Sequence, residues 1–141
     1  MCVFCSIVEG KIDSFKVYEN KDFIVIMDKY PVSKGHLLII TKDHYNAISE
    51  TPPYVVAEAF KLAGGIAKFY RKELGVPGVN VIANDGSPAG QEIFHFHVHV
   101  IPRWVRVKGL FSGRTVLTRG VAEEVYETLN GLSEYLDKYL S

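Results

Sequence analysis

The chain has 141 residues, 48% of them hydrophobic, and its 16 basic and 16 acidic side chains cancel. That length suits one domain spanning 1–141, with enough chain to bury a sizeable core. The neutral balance excludes a protein drawn by its overall field to nucleic acid or membrane, so no partner of either kind is expected. The sequence shows no cleavable apolar leader and no apolar run long enough to span a bilayer, so a cytoplasmic protein is expected.

Short apolar runs and helical spacing then give the elements in chain order. Phe15 to Tyr18 and Phe23 to Met27 are expected strands flanking the turn residues Glu19-Asn20-Lys21-Asp22. His36 to Thr41 is a third strand, entered through Pro31-Val32-Ser33-Lys34-Gly35. Thr51-Pro52-Pro53 predicts a helix start, with Thr51 as N-cap and proline in the first turn. Val56, Ala59, Phe60, Ala63, Ala67, Tyr70 and Leu74 keep helical spacing, and Gly75 with Pro77 stops it. Val79 to Ala83 is a fourth strand. A second amphipathic helix is expected near Val121 to Tyr139, with Val125, Leu129, Leu132 and Leu136 inside. The fold class is therefore α+β: a five-stranded, mostly antiparallel sheet with two main helices on one face.

The fifth strand carries the chemistry. Phe94-His95-Phe96-His97-Val98-His99-Val100-Ile101 alternates strictly, so Phe94, Phe96, Val98 and Val100 are expected in a core. All three imidazoles then line the other face at roughly 6.6 Å steps. Groups that titrate near neutral pH, fixed in a row, suit nucleophilic attack, proton transfer or metal ligation. Asn84-Asp85-Gly86-Ser87-Pro88-Ala89-Gly90-Gln91 leads into this strand, and its glycines allow close backbone approach to an anion or simply form a turn.

Cys2 and Cys5 form C-x-x-C at the chain start. A redox pair would need a preceding strand, and a disulfide is out of place in a cytoplasmic protein. Half of a zinc site fits best, and with no second C-x-x-C the other ligands must be histidines. Outside the triad, His36 and His44 bracket the third strand.

Together these residues resemble the histidine-triad (HIT) superfamily, whose signature is His-φ-His-φ-His-φ-φ. The resemblance runs over 2–103 and includes Cys2-Val3-Phe4-Cys5, Asp28, the run ending at His36, Lys42-Asp43-His44, and Ala89-Gly90-Gln91. It is nearest the nucleotide-binding, adenosine phosphoramidase-like branch, with the dinucleoside polyphosphate hydrolases also open. The resemblance implies a homodimer with its sheet extended across the interface, and a purine nucleotide site. It implies that His97 attacks the α-phosphorus and forms a nucleotidyl-histidine. His99 with Asn84, Gly90 and Gln91 would hold phosphate oxygens, and His36 would order the imidazoles. Asp28 would take the ribose hydroxyls, and Val3, Phe4 and Ile7 would line the base pocket. Cys2, Cys5, His44 and His95 would hold a structural zinc, as in zinc-containing relatives; metal-lacking ones use the first triad histidine only to orient its neighbours. Glu92 departs from the pattern, since many phosphoramidase-type members carry a small hydroxyl residue there. No magnesium is required, because the sequence has neither a P-loop nor an acidic cluster to hold one. A nucleotide-binding regulatory module with little turnover is the alternative from another class.

The segment 104–141 is variable by this comparison. Arg103, Arg106, Lys108, Arg114 and Arg119 span its beginning, 103–119, without an acid among them, near Trp104 and Phe111. A solvated basic loop and a specificity segment both fit.

Overall fold

The computed structural model describes residues 2–141. Helix α1 is Val3–Val8, and strands β1 Lys16–Glu19, β2 Phe23–Met27 and β3 Leu37–Thr41 follow. Helix α2, Pro53–Lys72, then leads to β4 Gly78–Ile82 and β5 His97–Arg103. Helices α3, Arg119–Thr128, and α4, Leu132–Leu140, close the chain. The strands form one antiparallel sheet in the order β1-β2-β3-β5-β4. Among the described residues, no helix is long and apolar enough to cross a membrane.

Helices cover both faces of the sheet, not one. The larger core joins Val25, Met27, Leu37, Ile39, Val98 and Val100 to α2, α3 and α4. On the opposite face Phe4 of α1 packs on Ile24, Ile26, Leu38 and Ile40. This second layer explains why β2 and β3 are continuous apolar runs without alternation. The α1 helix spans only six residues, too few for an apolar period to repeat, so spacing alone does not predict it.

Three local expectations change. Thr51 does not cap α2: its hydroxyl donates to the Ala47 carbonyl, and Pro52 occupies the N-cap position. The buried stripe of α2 is Ala59, Leu62, Ala63, Ile66, Phe69 and Tyr70, whereas Phe60 is exposed. The stripe is turned toward α4, where a Cβ on Gly65 would lie 2.7 Å from the Tyr139 ring, so glycine permits the close crossing. Finally, the single helix expected over 121–139 is two, broken where Gly131 adopts φ +97°. Val125, Leu129, Leu132 and Leu136 are nonetheless all buried.

Strand β5 starts at His97, later than its alternating pattern suggests. Its neighbour β3 ends at Thr41, and Ile40 is already opposite His97, so residues 94 and 95 lie beyond the end of β3. Phe94 consequently leaves the core and is 47% exposed, while Phe96 stays buried with its N–H on the Tyr45 carbonyl.

Candidate functional site

Strand β5 presents His97 and His99 on the α1 face, beside Ile40 and Leu38 of β3. Above them lies a cavity of about 780 Å³. Val3, Phe4, Ile7, Ile26 and Leu38 form its apolar wall, and Asp28, Asn84, Gly90, His97 and His99 its polar floor. The structure thus brings together all but one of the expected substrate residues. The exception is Gln91, whose side chain is buried and fully occupied: its amide donates to the Asn46 and Ile93 carbonyls, and its oxygen accepts from Gly86 N–H. Gln91 braces the loop that carries Gly90. Gly90 itself sits at φ +97° against Asn84, a conformation side chains rarely adopt.

Hydrogen bonds decide what each imidazole can do. His97 Nδ1 lies 2.7 Å from the His95 carbonyl, an acceptor only, so Nδ1 carries the proton and Nε2 keeps its lone pair. Val32 N–H donates to His36 Nδ1 at 3.1 Å, so the His36 proton is on Nε2. That proton faces His99 Nδ1 at 2.9 Å and Asp28 Oδ2 at 3.3 Å. His99 therefore accepts at Nδ1 and has Nε2–H to donate. The Phe4 ring stands edge-on to His97 with centroids 4.9 Å apart, which joins the base wall to the reactive ring.

Burial holds these imidazoles neutral. His36 and His99 are both pushed down to about 3, chiefly by desolvation, then by Arg114 and Arg103 for His36 and by His97 and His36 for His99. His97 is lowered too, again mainly by burial. The unfolded chain takes up protons on His36 and His99 below about pH 6.5, whereas the fold refuses them until about pH 3. Stability is unaffected above about pH 6.5 and falls as the pH drops below it, by up to about 1.4 kcal/mol per pH unit for each histidine. Thermal melting between pH 7 and 4 is expected to show this decline, and His36→Phe to flatten it. An unchanged slope in that variant would refute the linkage.

A second cluster lies at the far end of the triad. Cys2 Sγ, Cys5 Sγ, His44 Nδ1 and His95 Nδ1 all fall within 4.8 Å of one another. Cys2 caps α1, its sulfur accepting Cys5 N–H at 3.3 Å, and the helical turn brings Cys5 onto the same side. The imidazole tautomers are set by residues the motif does not include. His95 Nε2–H donates to the Thr41 carbonyl at 2.7 Å, and His44 Nε2–H to Asn46 Oδ1 at 2.9 Å. Both Nδ1 lone pairs therefore point inward, 3.2 Å apart with no proton between them. That spacing is close to the edge of a zinc tetrahedron with bonds of about 2.0–2.1 Å. Cys5 is held up to about 11, first by burial and then by the Cys2 thiol beside it. A cation would relieve both penalties, and two thiols with two imidazole lone pairs are a donor set that suits zinc.

The basic segment is not simply a solvated loop. Thr115 N–H and Leu117 N–H bond to the Pro31 and Lys29 carbonyls and lay residues 111–117 along the cavity mouth. Phe111 stands edge-on to His99 at 4.9 Å. Arg114 reaches Asp28 at 3.5 Å. Phe111 was missed as a site residue because an aromatic in an irregular basic stretch has no periodicity to reveal its direction.

The HIT domain family matches this sequence over residues 9–105. The chain belongs to the histidine-triad family. Among its HIT relatives, an uncharacterised HIT-like protein of Mycoplasma genitalium is 36% identical over 129 residues, covering 92% of both chains. An adenylylsulfatase of Arabidopsis thaliana is 44% identical over 102 residues, which cover 72% of this chain and 52% of that protein. A zinc-bound histidine triad protein from Mycobacterium smegmatis superposes with a TM-score of 0.81 at 37% identity, covering 97% and 96% of the two chains. A histidine triad nucleotide-binding protein from Sulfolobus tokodaii gives 0.83 at 32% identity, covering 97% and 93%. This HIT chain extends past the family match from Arg106 to Ser141, including the residues laid over the cavity.

Proposed function

We propose that this HIT protein is a nucleotidyl hydrolase or transferase that cleaves at the α-phosphate of a purine nucleotide, of phosphoramidate or aminoacyl-adenylate type. The observation that carries this reading is the fixed tautomer of His97, with Nδ1–H on a backbone carbonyl and Nε2 unprotonated beside the His99 ring. Attack by Nε2 forms an N–P bond while the bond from phosphorus to the leaving group breaks, and the leaving group departs with the electron pair, an amine taking up a proton from solvent as it leaves. The resulting phosphorylated imidazolium keeps its Nδ1–H on the His95 carbonyl, which stabilises the charge. His99 Nε2–H donates to a phosphoryl oxygen, held in place by His36. Water then attacks the phosphorus, the N–P bond breaks, and nucleoside monophosphate is released. The apolar wall suits a base, and Asp28 suits the ribose hydroxyls. The Arabidopsis relative's name, an adenylylsulfatase, supports adenylyl chemistry.

Zinc on Cys2, Cys5, His44 and His95 would supply a crosslink between α1 and the start of β5, with no part in the displacement; the zinc-bound mycobacterial relative supports it. Two chains would pair into a dimer through the edge strand β4, whose residues are only half covered. A monomer mass by light scattering would refute the dimer. The function is tested by steady-state rates on an adenosine phosphoramidate and a dinucleoside polyphosphate, side by side. Faster turnover of the phosphoramidate is expected. Faster turnover of the polyphosphate would make the protein a dinucleoside polyphosphate hydrolase. AMP binding without turnover of either would leave a binding module.

A further inference from the structure

We propose that Arg114, supplied by the segment beyond β5, is the cation that binds the phosphoryl oxygens of the substrate and so distinguishes a nucleotide from a nucleoside. This rests on the nucleotide reading above for the identity of the anion. A displacement at phosphorus needs positive charge near the equatorial oxygens, and the imidazoles cannot bring it at rest, since the fold keeps His36 and His99 neutral. The cations lining the cavity are Lys29, Arg114 and Arg119. Of these, Arg114 has its charge felt by both His36 and His99, and it is also bonded to a cavity residue, Asp28.

The guanidinium is placed, not loose. Its Nη1 donates to the Tyr30 carbonyl at 2.5 Å and lies 3.5 Å from Asp28 Oδ2. Its carbon stands 5.3 Å from the centre of the Phe111 ring, and that ring in turn meets His99 edge-on at 4.9 Å. The backbone bonds of Thr115 to Pro31 and of Leu117 to Lys29 anchor the segment along the turn that follows Asp28. Both polar contacts of Arg114 use Nη1, so the Nε and Nη2 donors are left for an oxyanion, in the planar fork that matches phosphate. The side chain is 33% exposed, covered enough to fix its direction and open enough for a ligand to reach.

Calorimetric titration with AMP and with adenosine tests this on the wild type, Arg114→Met and Arg114→Lys. Methionine keeps an apolar stem over Phe111 and removes the charge; lysine keeps the charge and loses the fork. Arg114→Met is expected to weaken AMP about tenfold or more, the cost of a charge-assisted hydrogen bond, while adenosine stays within about twofold. Arg114→Lys should recover part of the AMP affinity. An equal loss for both ligands would mean that Arg114 only shapes the pocket, and would overturn the proposal. So would unchanged AMP affinity, or tighter binding of both ligands, which would show a guanidinium merely competing with ribose for Asp28. A wild type that binds neither ligand would refute the nucleotide reading instead. Arg114 is then judged with inorganic phosphate and 15N-labelled protein: its Nε resonance is expected to move on titration, and a resonance that stays put overturns the assignment.

Discussion

His97→Ala is expected to lower turnover by roughly 10³ or more while AMP still binds. The size follows from the role. Without the imidazole the reaction has no covalent intermediate, and water would have to displace the leaving group directly in a cavity built to hold a ring at that position. Binding survives because the groups proposed to hold the nucleotide are elsewhere: Asp28 on the turn after β2, Asn84 and Gly90 on the loop after β4, and the apolar wall on α1, β2 and β3. The substitution also frees the Phe4 ring, whose edge contact at 4.9 Å is lost, so a small loss of base affinity accompanies it. Rapid quench with substrate labelled in the α-phosphate provides a second readout. Wild type should carry acid-labile label on the protein, and His97→Ala none. A rate within threefold of wild type would end the covalent role for His97.

Cys2→Ser is expected to lose bound metal and to melt roughly 10 °C lower, a shift that about 3 kcal/mol would produce in a domain near this size. The choice of serine isolates the cause. Cys2 also caps α1 through its sulfur, and serine is itself a preferred N-cap, so the helix start is preserved and the missing thiolate is what remains to be felt. Wild type purified without chelator should hold close to one zinc per chain. Its loss frees α1 from residue 95, because the crosslink is the only covalent-strength tie proposed between them, and metal binding contributes directly to folding free energy. Turnover should fall less than in His97→Ala, since His97 is not a ligand. Elemental analysis finding no metal, with Cys2→Ser melting like wild type, would return His95 to orienting its neighbours.

Much of this protein was legible in the sequence because its chemistry lies on locally periodic elements. Strand alternation placed His97 and His99 opposite Phe96, Val98 and Val100, since successive side chains in a strand must leave opposite faces. The C-x-x-C spacing let both sulfurs reach one ion, and the demand for two histidine partners was already contained in the absence of further cysteines; the α1 helix that puts the two sulfurs on one side came only with the structure. What alternation could not contain is where pairing stops. Strand β5 begins at His97 because β3 ends at Thr41, a fact about a chain segment some fifty residues away, and this released Phe94 to solvent and left His95 beside Cys2, Cys5 and His44. The stripe of α2 was misplaced for a similar reason: helical spacing gives a period, but the crossing with α4 at Gly65 chooses the phase. Above all, the sequence determined which imidazoles are present, and only the tertiary structure decided what each one is. An imidazole's tautomer follows from the hydrogen-bond partner that one of its nitrogens meets, and here those are three acceptors, the carbonyls of His95 and Thr41 and the Asn46 amide oxygen, and one donor, the Val32 N–H, partners set by packing between elements and invisible in any spacing.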